Sequence, residues 1–183
     1  MDEALVIEGC RKGQTRAQKM LFDHFAEGML AVCTRYVKNS ADAEELMLNG
    51  FLKFFEHIGK YIFNGPGSVA PWLKKIMINE CLMFLRRKGQ LILTNERVAE
   101  DVYLEAQAID KLSATELFRY ITELPAGYRT VFNLYVIEEM THREIAVLLG
   151  ISEGTSKSQL NKARIQLQDK IKKSGSYDER FRQ

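Results

Sequence analysis

The sequence predicts an all-α chain: two small helical domains joined by a flexible linker, the second of them a helix-turn-helix. Apolar residues recur at the 3.6-residue helical period and not in strict alternation, and only three prolines interrupt 183 residues. The third observation is a lapse of that period, with a swing to acidic charge, between Gly89 and about Glu105. The expected division is residues 1–88, a linker at 89–106, a second domain at 107–173 and a polar, frayed tail at 174–183.

Taken in order, Ala17, Leu21, Phe25, Met29, Val32 and Tyr36 advance by steps of four and three and make one buried helical stripe. A second helix is expected to start after Ser40, read as its N-cap, with the stripe Ala43, Met47, Phe51, Phe54 and Ile58. Asn64-Gly65-Pro66-Gly67-Ser68 is the strongest loop signal, because glycine tolerates positive φ and proline cannot continue a helix. A third helix opens near Ala70-Pro71-Trp72, with Pro71 in the first turn where no donor is missed, and runs to about Lys88. Trp72 is either a stacking platform or a core anchor, and its helical spacing to Ile76 favours the anchor. Beyond the linker, helices are expected at roughly 107–123, 126–138, 142–149 and 154–172.

Composition bounds the function. With 46% hydrophobic and 27% charged residues the chain matches soluble globular averages and can bury real cores. The apolar run in MDEALVIEGC is too short for a signal peptide, and no stretch approaches the roughly 20 apolar residues that span a bilayer, so a cytoplasmic protein without membrane insertion is expected. Cys10, Cys33 and Cys81 are widely spaced and read as small buried apolar residues, with no metal-ligand spacing. His24, His57 and His142 are isolated, and neither a catalytic triad nor a phosphate-cradling loop is present; no enzyme, cofactor or metal is expected.

Net charge is only +2, but its distribution is uneven. Lys74, Lys75, Arg86, Arg87 and Lys88 stand against Glu80 alone, and Lys157, Lys162, Arg164, Lys170, Lys172 and Lys173 against Glu153 and Asp169. Two basic helices offer two footprints for phosphate.

The most informative segment is THREIAVLLGISEGTSKSQLNKARIQL, residues 141–167. Thr141 and Glu144 form a capping box; Ile145, Leu148 and Leu149 face inward; Gly150 supplies a left-handed turn residue; Ser152 caps the next helix. In that helix Ser156, Leu160, Ala163 and Leu167 share one side, which turns Thr155, Lys157, Ser158, Asn161 and Lys162 outward as donors for base edges and phosphates. Gly154 and Thr155 can also offer backbone amides to a phosphate.

A helix-turn-helix alone implies only DNA binding. Three blocks in order say more: ADAEELMLNGFLKFFEHI (41–58), FNGPGSVAPWLKKIMINECLMFLRR (63–87) and LPAGYRTVFNLYVIEEMTHREIAVLLGISEGTSKSQLNKAR (124–164). Together they resemble the sigma-70 family of RNA polymerase sigma factors in its small extracytoplasmic-function (ECF) branch, over about Arg16 to Lys173.

The resemblance implies a subunit that docks on a coiled coil of the largest subunit of core RNA polymerase, with Asp42, Glu45, Leu48, Asn49 and Leu52 as the matching positions. Leu48-Asn49 departs from the common Gln-Glu, and Leu48 is either exposed or packed under the preceding helix. The resemblance further implies recognition of promoter DNA: the melted −10 element by Asn64, Gly65, Ser68, Lys75, Asn79, Arg86 and Arg87, and the −35 duplex by Thr155, Lys157, Ser158, Asn161, Lys162 and Arg164. Met83 stands where many members carry Asp. Arg129 and Arg143 are further candidates for backbone phosphate, and an inhibitory anti-sigma factor is an expected partner. A stand-alone DNA-binding regulator is the competing reading, although residues 1–88 show no effector or phospho-acceptor domain.

Overall fold

The computed structural model describes residues 1–93 and 113–180, with side chains to 173. Its described residues are helical or irregular, without strands. They fall into two compact units, Met1–Lys88 and Gly89–Gln183. Most of the expected linker, and residues 107–112 of the helix expected at 107–123, lie outside the described residues.

The first unit holds α1 (Glu3–Arg11), α2 (Thr15–Tyr36), α3 (Ser40–His57), a 3₁₀ turn (Ile58–Lys60) and α4 (Val69–Arg87). Helices α2, α3 and α4 pack pairwise, and α1 lies on α2 and the 3₁₀ turn. Every residue of the two predicted stripes is buried, and Leu73, Met77, Cys81, Leu82 and Leu85 of α4 complete the core. Apolar burial of this kind contributes about 1.5–3 kcal/mol per large side chain, which overrides local propensity in setting the helices. A Cβ at Gly50 would fall on the Met77 thioether, so glycine lets α3 and α4 approach closely. Cys10, Cys33 and Cys81 are buried, as expected; burial pushes the Cys10 thiol up to about 11.

Two expectations need correction. Helix α1 lies where the sequence reading placed none, although Asp2 caps it through Ala4 N and Leu5 N (3.1 and 3.3 Å) and Val6, Ile7 and Cys10 form its buried side. The N-cap of α3 is Asn39, whose side chain accepts from Asp42 N at 3.1 Å; Ser40 is already helical. Asparagine competes equally well for the cap, and the chain enters one residue earlier.

The second unit contains α5 (Ala114–Thr122), α6 (Ala126–Phe132) running on into a π-helical turn (Asn133–Ile137), α7 (His142–Leu149) and α8 (Glu153–Arg180). Helix α8 packs on α5, α6 and α7 and carries the core through Leu160, Ala163, Leu167 and Ile171. It continues to Arg180, so the backbone of the segment read as a frayed tail is helical that far. No described helix is long and apolar enough to cross a membrane.

Candidate functional site

The α7–α8 turn is built as its residue types require. Glu144 N donates to Thr141 Oγ1 (3.3 Å) while Thr141 N and Oγ1 donate to Glu144 Oε2 (2.8 and 2.7 Å). Those donors hold the Glu144 carboxyl below its usual value, the Thr141 hydroxyl first and its amide second. Gly150 adopts φ 70° and ψ 39°, and the Gly150 and Ile151 amides both donate to Ala146 O (2.9 and 3.0 Å), closing α7. Ser152 Oγ accepts from Thr155 N at 3.0 Å and opens α8. His142 stacks on Tyr135 at 4.4 Å and its Nδ1 bonds Ser156 Oγ at 2.9 Å, tying the two helices together.

On α8, Lys157 is exposed, and Ser158, Lys162 and Arg164 are half-buried. Lys162 lies over the Tyr128 ring and Arg164 over the Tyr135 ring. Thr155 and Asn161, read from spacing as outward, are each 5% exposed. Contact with three helices widens the buried arc of α8 to roughly 160°, at about 100° per residue, and Thr155 falls at its edge. Its hydroxyl also bonds Ser152 Oγ at 2.9 Å, and its amide is taken by the same side chain. The phosphate-binding amide assigned to Thr155 is therefore engaged. Asn161 lies outside that arc, beside Lys157, and is nonetheless buried.

Arg129, a candidate phosphate contact, is a further correction. It is 5% exposed and donates through Nη1 to Thr122 O (2.8 Å) and Leu124 O (3.0 Å), joining the end of α5 to α6; burial lowers its pKa. Arg143 remains exposed.

In the first unit, Lys75, Asn79 and Arg86 are exposed within about 40° of one another on α4, with Arg87 exposed farther round. Beside them is an open groove of about 510 Å³ lined by residues including Lys53, His57, Trp72, Asn79, Glu80 and Met83. Trp72 is half-buried, stacked on Tyr61 at 4.7 Å and tilted against Phe54 at 4.8 Å, so it anchors the core and also borders the groove. Buried Glu80 bonds Lys53 Nζ at 2.6 Å, a pair the sequence reading did not single out because α3 and α4 are joined only by folding.

The loop after the 3₁₀ turn is organised by Ser68. Its Oγ lies 2.6 Å from Tyr61 OH, donates to Gly65 O at 2.7 Å and accepts from Asn64 N at 3.3 Å. Ser68 thus shapes the loop from within, while Asn64 is exposed just before the turn at Pro66-Gly67. Gly65 and Gly67 hold φ 98° and 85°, which the glycines alone adopt without strain.

Glu45, Leu48, Asn49 and Leu52 share one face of α3, and Asp42 is half-buried in its first turn. Leu48 is 49% and Leu52 60% exposed, which answers the alternative left open for Leu48: it does not pack beneath α2.

Two family models match the two units separately: "Sigma-70 region 2" over residues 21–90 and "Sigma-70, region 4" over residues 114–167. The chain belongs to the sigma-70 family. Within it, this sigma factor falls in the ECF branch, judged by its relatives. It is 30% identical to ECF RNA polymerase sigma factor SigE of Mycolicibacterium smegmatis over 82% of this chain and 60% of that protein. It is 24% identical to RNA polymerase sigma-H factor of Pseudomonas aeruginosa, over 87% of this chain and 88% of that one. With ECF RNA polymerase sigma factor SigW of Bacillus subtilis the identity is 25%, over 91% and 95%. The region 2 match contains α3, the 61–68 loop and α4, and the region 4 match contains the helix-turn-helix.

Proposed function

We propose that this sigma factor binds core RNA polymerase and directs it to promoters, with each unit taking one element of the DNA. Residues 1–88 form the docking and −10 domain, 107–173 the −35 domain, and 89–106 the connection between them. The α3 face formed by exposed Glu45, Leu48 and Leu52, with half-buried Asn49 and Asp42 beside them, docks on the coiled coil of the largest polymerase subunit. Its two leucines favour a contact more apolar than the common Gln-Glu pair would make.

The loop at Asn64–Ser68, with Lys75, Asn79, Arg86 and Arg87 of α4, receives the melted −10 strand. An extruded base is read there on its Watson–Crick edge while the cations follow the phosphates. Helix α8 presents Lys157, Ser158, Lys162 and Arg164 to the −35 major groove, while Thr155 closes its first turn against Ser152 and Asn161 lies buried beside Lys157. The chain does no covalent chemistry in this reading and works in the cytoplasm beside polymerase; an anti-sigma factor is its expected inhibitor.

The observation that carries the proposal is the pairing of two DNA-suited surfaces in separate units, a complete helix-turn-helix in one and a glycine loop beside a basic helix face in the other. The test is reconstitution: purified chain added to core RNA polymerase should produce transcription from a promoter that core alone ignores. Specific duplex binding by the free chain, with no gain of transcription by core, would replace this reading with a stand-alone regulator.

A further inference from the structure

Helix α1 precedes the region 2 match and presents none of the residues assigned above to DNA or polymerase. Yet two of its side chains reach across to the loop. Arg11 Nη2 donates to Tyr61 O at 2.6 Å, and Glu3 Oε2 accepts from Gly67 N at 2.9 Å. Glu3 and Arg11 are eight residue steps apart, about 12 Å at 1.5 Å per residue, so α1 grips the loop near its entrance and its exit. Its own position is fixed independently, by the buried residues Val6, Ile7, Gly9 and Cys10.

The loop needs an outside hold. Its internal bonds all pass through Ser68, and none of them reaches the Gly67 amide, which Glu3 alone takes among the described contacts. Gly67 sits at φ 85° with no side chain to restrict it. A glycine in that state loses more conformational entropy on ordering than any other residue. A loop that reads a base through its backbone must have its donors and acceptors fixed before the strand arrives, because ordering them on binding subtracts from affinity and blurs discrimination.

We infer that α1 is a brace for the −10-reading loop, and that Glu3 and Arg11 are positioning residues for −10 discrimination although neither faces the DNA. The inference rests on the reading of the 64–68 loop given above. Glu3 is half-buried and Arg11 exposed, and neither belongs to the apolar side of α1, so substituting them leaves the helix seated.

Amide exchange at Gly67 in the full-length chain tests the brace without reference to DNA. Glu3→Ala should speed exchange about three- to tenfold, the range of one net hydrogen bond, and Glu3→Gln, which keeps a carbonyl oxygen for the same bond, should restore it. Transcription by the reconstituted polymerase, on promoters varied at −10 and separately at −35, tests the consequence. Glu3→Ala and Arg11→Ala should each lower −10 discrimination about three- to tenfold with −35 discrimination unmoved, and Glu3→Gln should recover it. Unchanged Gly67 exchange in Glu3→Ala overturns the inference. So does faster exchange with −10 discrimination intact, and if the loop variant Asn64→Ala does shift that discrimination, the reading of the loop survives. If neither the α1 variants nor Asn64→Ala combined with Asn79→Ala moves −10 discrimination, the loop reading fails and takes the brace with it.

Discussion

Replacing Arg129 separates a structural cation from a DNA-binding one. The guanidinium is 5% exposed and satisfies two backbone carbonyls, Thr122 O and Leu124 O, at 2.8 and 3.0 Å. In Arg129→Met both carbonyls lose their donor inside the unit, at roughly 1–3 kcal/mol apiece. The guanidinium no longer has to be desolvated, which offsets part of that loss. The balance is a destabilisation of about 2–4 kcal/mol, a large share of the roughly 5 kcal/mol that holds a small domain together. Arg129→Lys should fall between, since a single ammonium does not reproduce the planar fork. Urea unfolding of the full chain reads this with an internal control. The only tryptophan, Trp72, lies in the first unit, so its fluorescence should keep the wild-type midpoint while far-UV circular dichroism gains an earlier transition. If Arg129 instead met DNA phosphate, stability would stay within about 0.5 kcal/mol and the salt slope of duplex binding would fall by about 0.9. That pair of results would refute the structural role.

A second capping box opens α5, where Glu116 N donates to Ser113 Oγ (3.2 Å) and Ser113 N and Oγ donate to Glu116 Oε2 (2.9 and 2.7 Å), and with the Thr141–Glu144 box it predicts an acid limit for the second unit. The Glu144 and Glu116 carboxyls are held below their usual value of 4.5, so their stabilisation is complete above that pH and lost as pH falls through the lower folded-state value. Glu144→Gln should flatten the decline in α7 helicity measured below about pH 4.5 by circular dichroism. Gly50→Ala should destabilise the first unit by about 1–3 kcal/mol through overpacking, and the added Met77→Ala should recover part of it; additive losses in chemical denaturation would dismiss the contact. Lys157→Ala should relax −35 sequence preference in a promoter-binding panel, whereas Arg86→Ala should weaken binding evenly across sequences and lower its salt slope by about 0.7 on the melted strand. Unaltered −35 preference in the first variant would remove Lys157 from the reading surface.

The helices of both cores were legible because burial imposes a period on the residue types themselves. Leu21 through Tyr36 and Ala43 through Ile58 need no knowledge of their partners to be recognised as stripes. The α7–α8 turn was legible for a different reason: a capping box, a left-handed glycine and a capping serine are local devices, each complete within a few residues. What escaped depended on distance along the chain. Arg129 looks like any surface cation until α5 brings two carbonyls to it, and the Lys53–Glu80 pair spans two helices. Thr155 was misread because one apolar stripe was taken as the width of the buried face, while three neighbouring helices cover more of α8 than its apolar residues mark. Helix α1 did carry a local signature, the Asp2 cap followed by Val6, Ile7 and Cys10, with Gly13 at φ 69° after it.

The two bare leucines of α3 set opposite demands on one face. Nothing in the folded unit uses the outer surface of Leu48 or Leu52, so polar replacements there should leave folding intact and make the unbound protein easier to keep in solution at high concentration. The same replacements should slow capture by polymerase. Selection for solubility alone would have discarded both side chains; under the docking proposed for this face, their presence is a compromise in which the solitary molecule tolerates wet hydrocarbon for the sake of the assembled one.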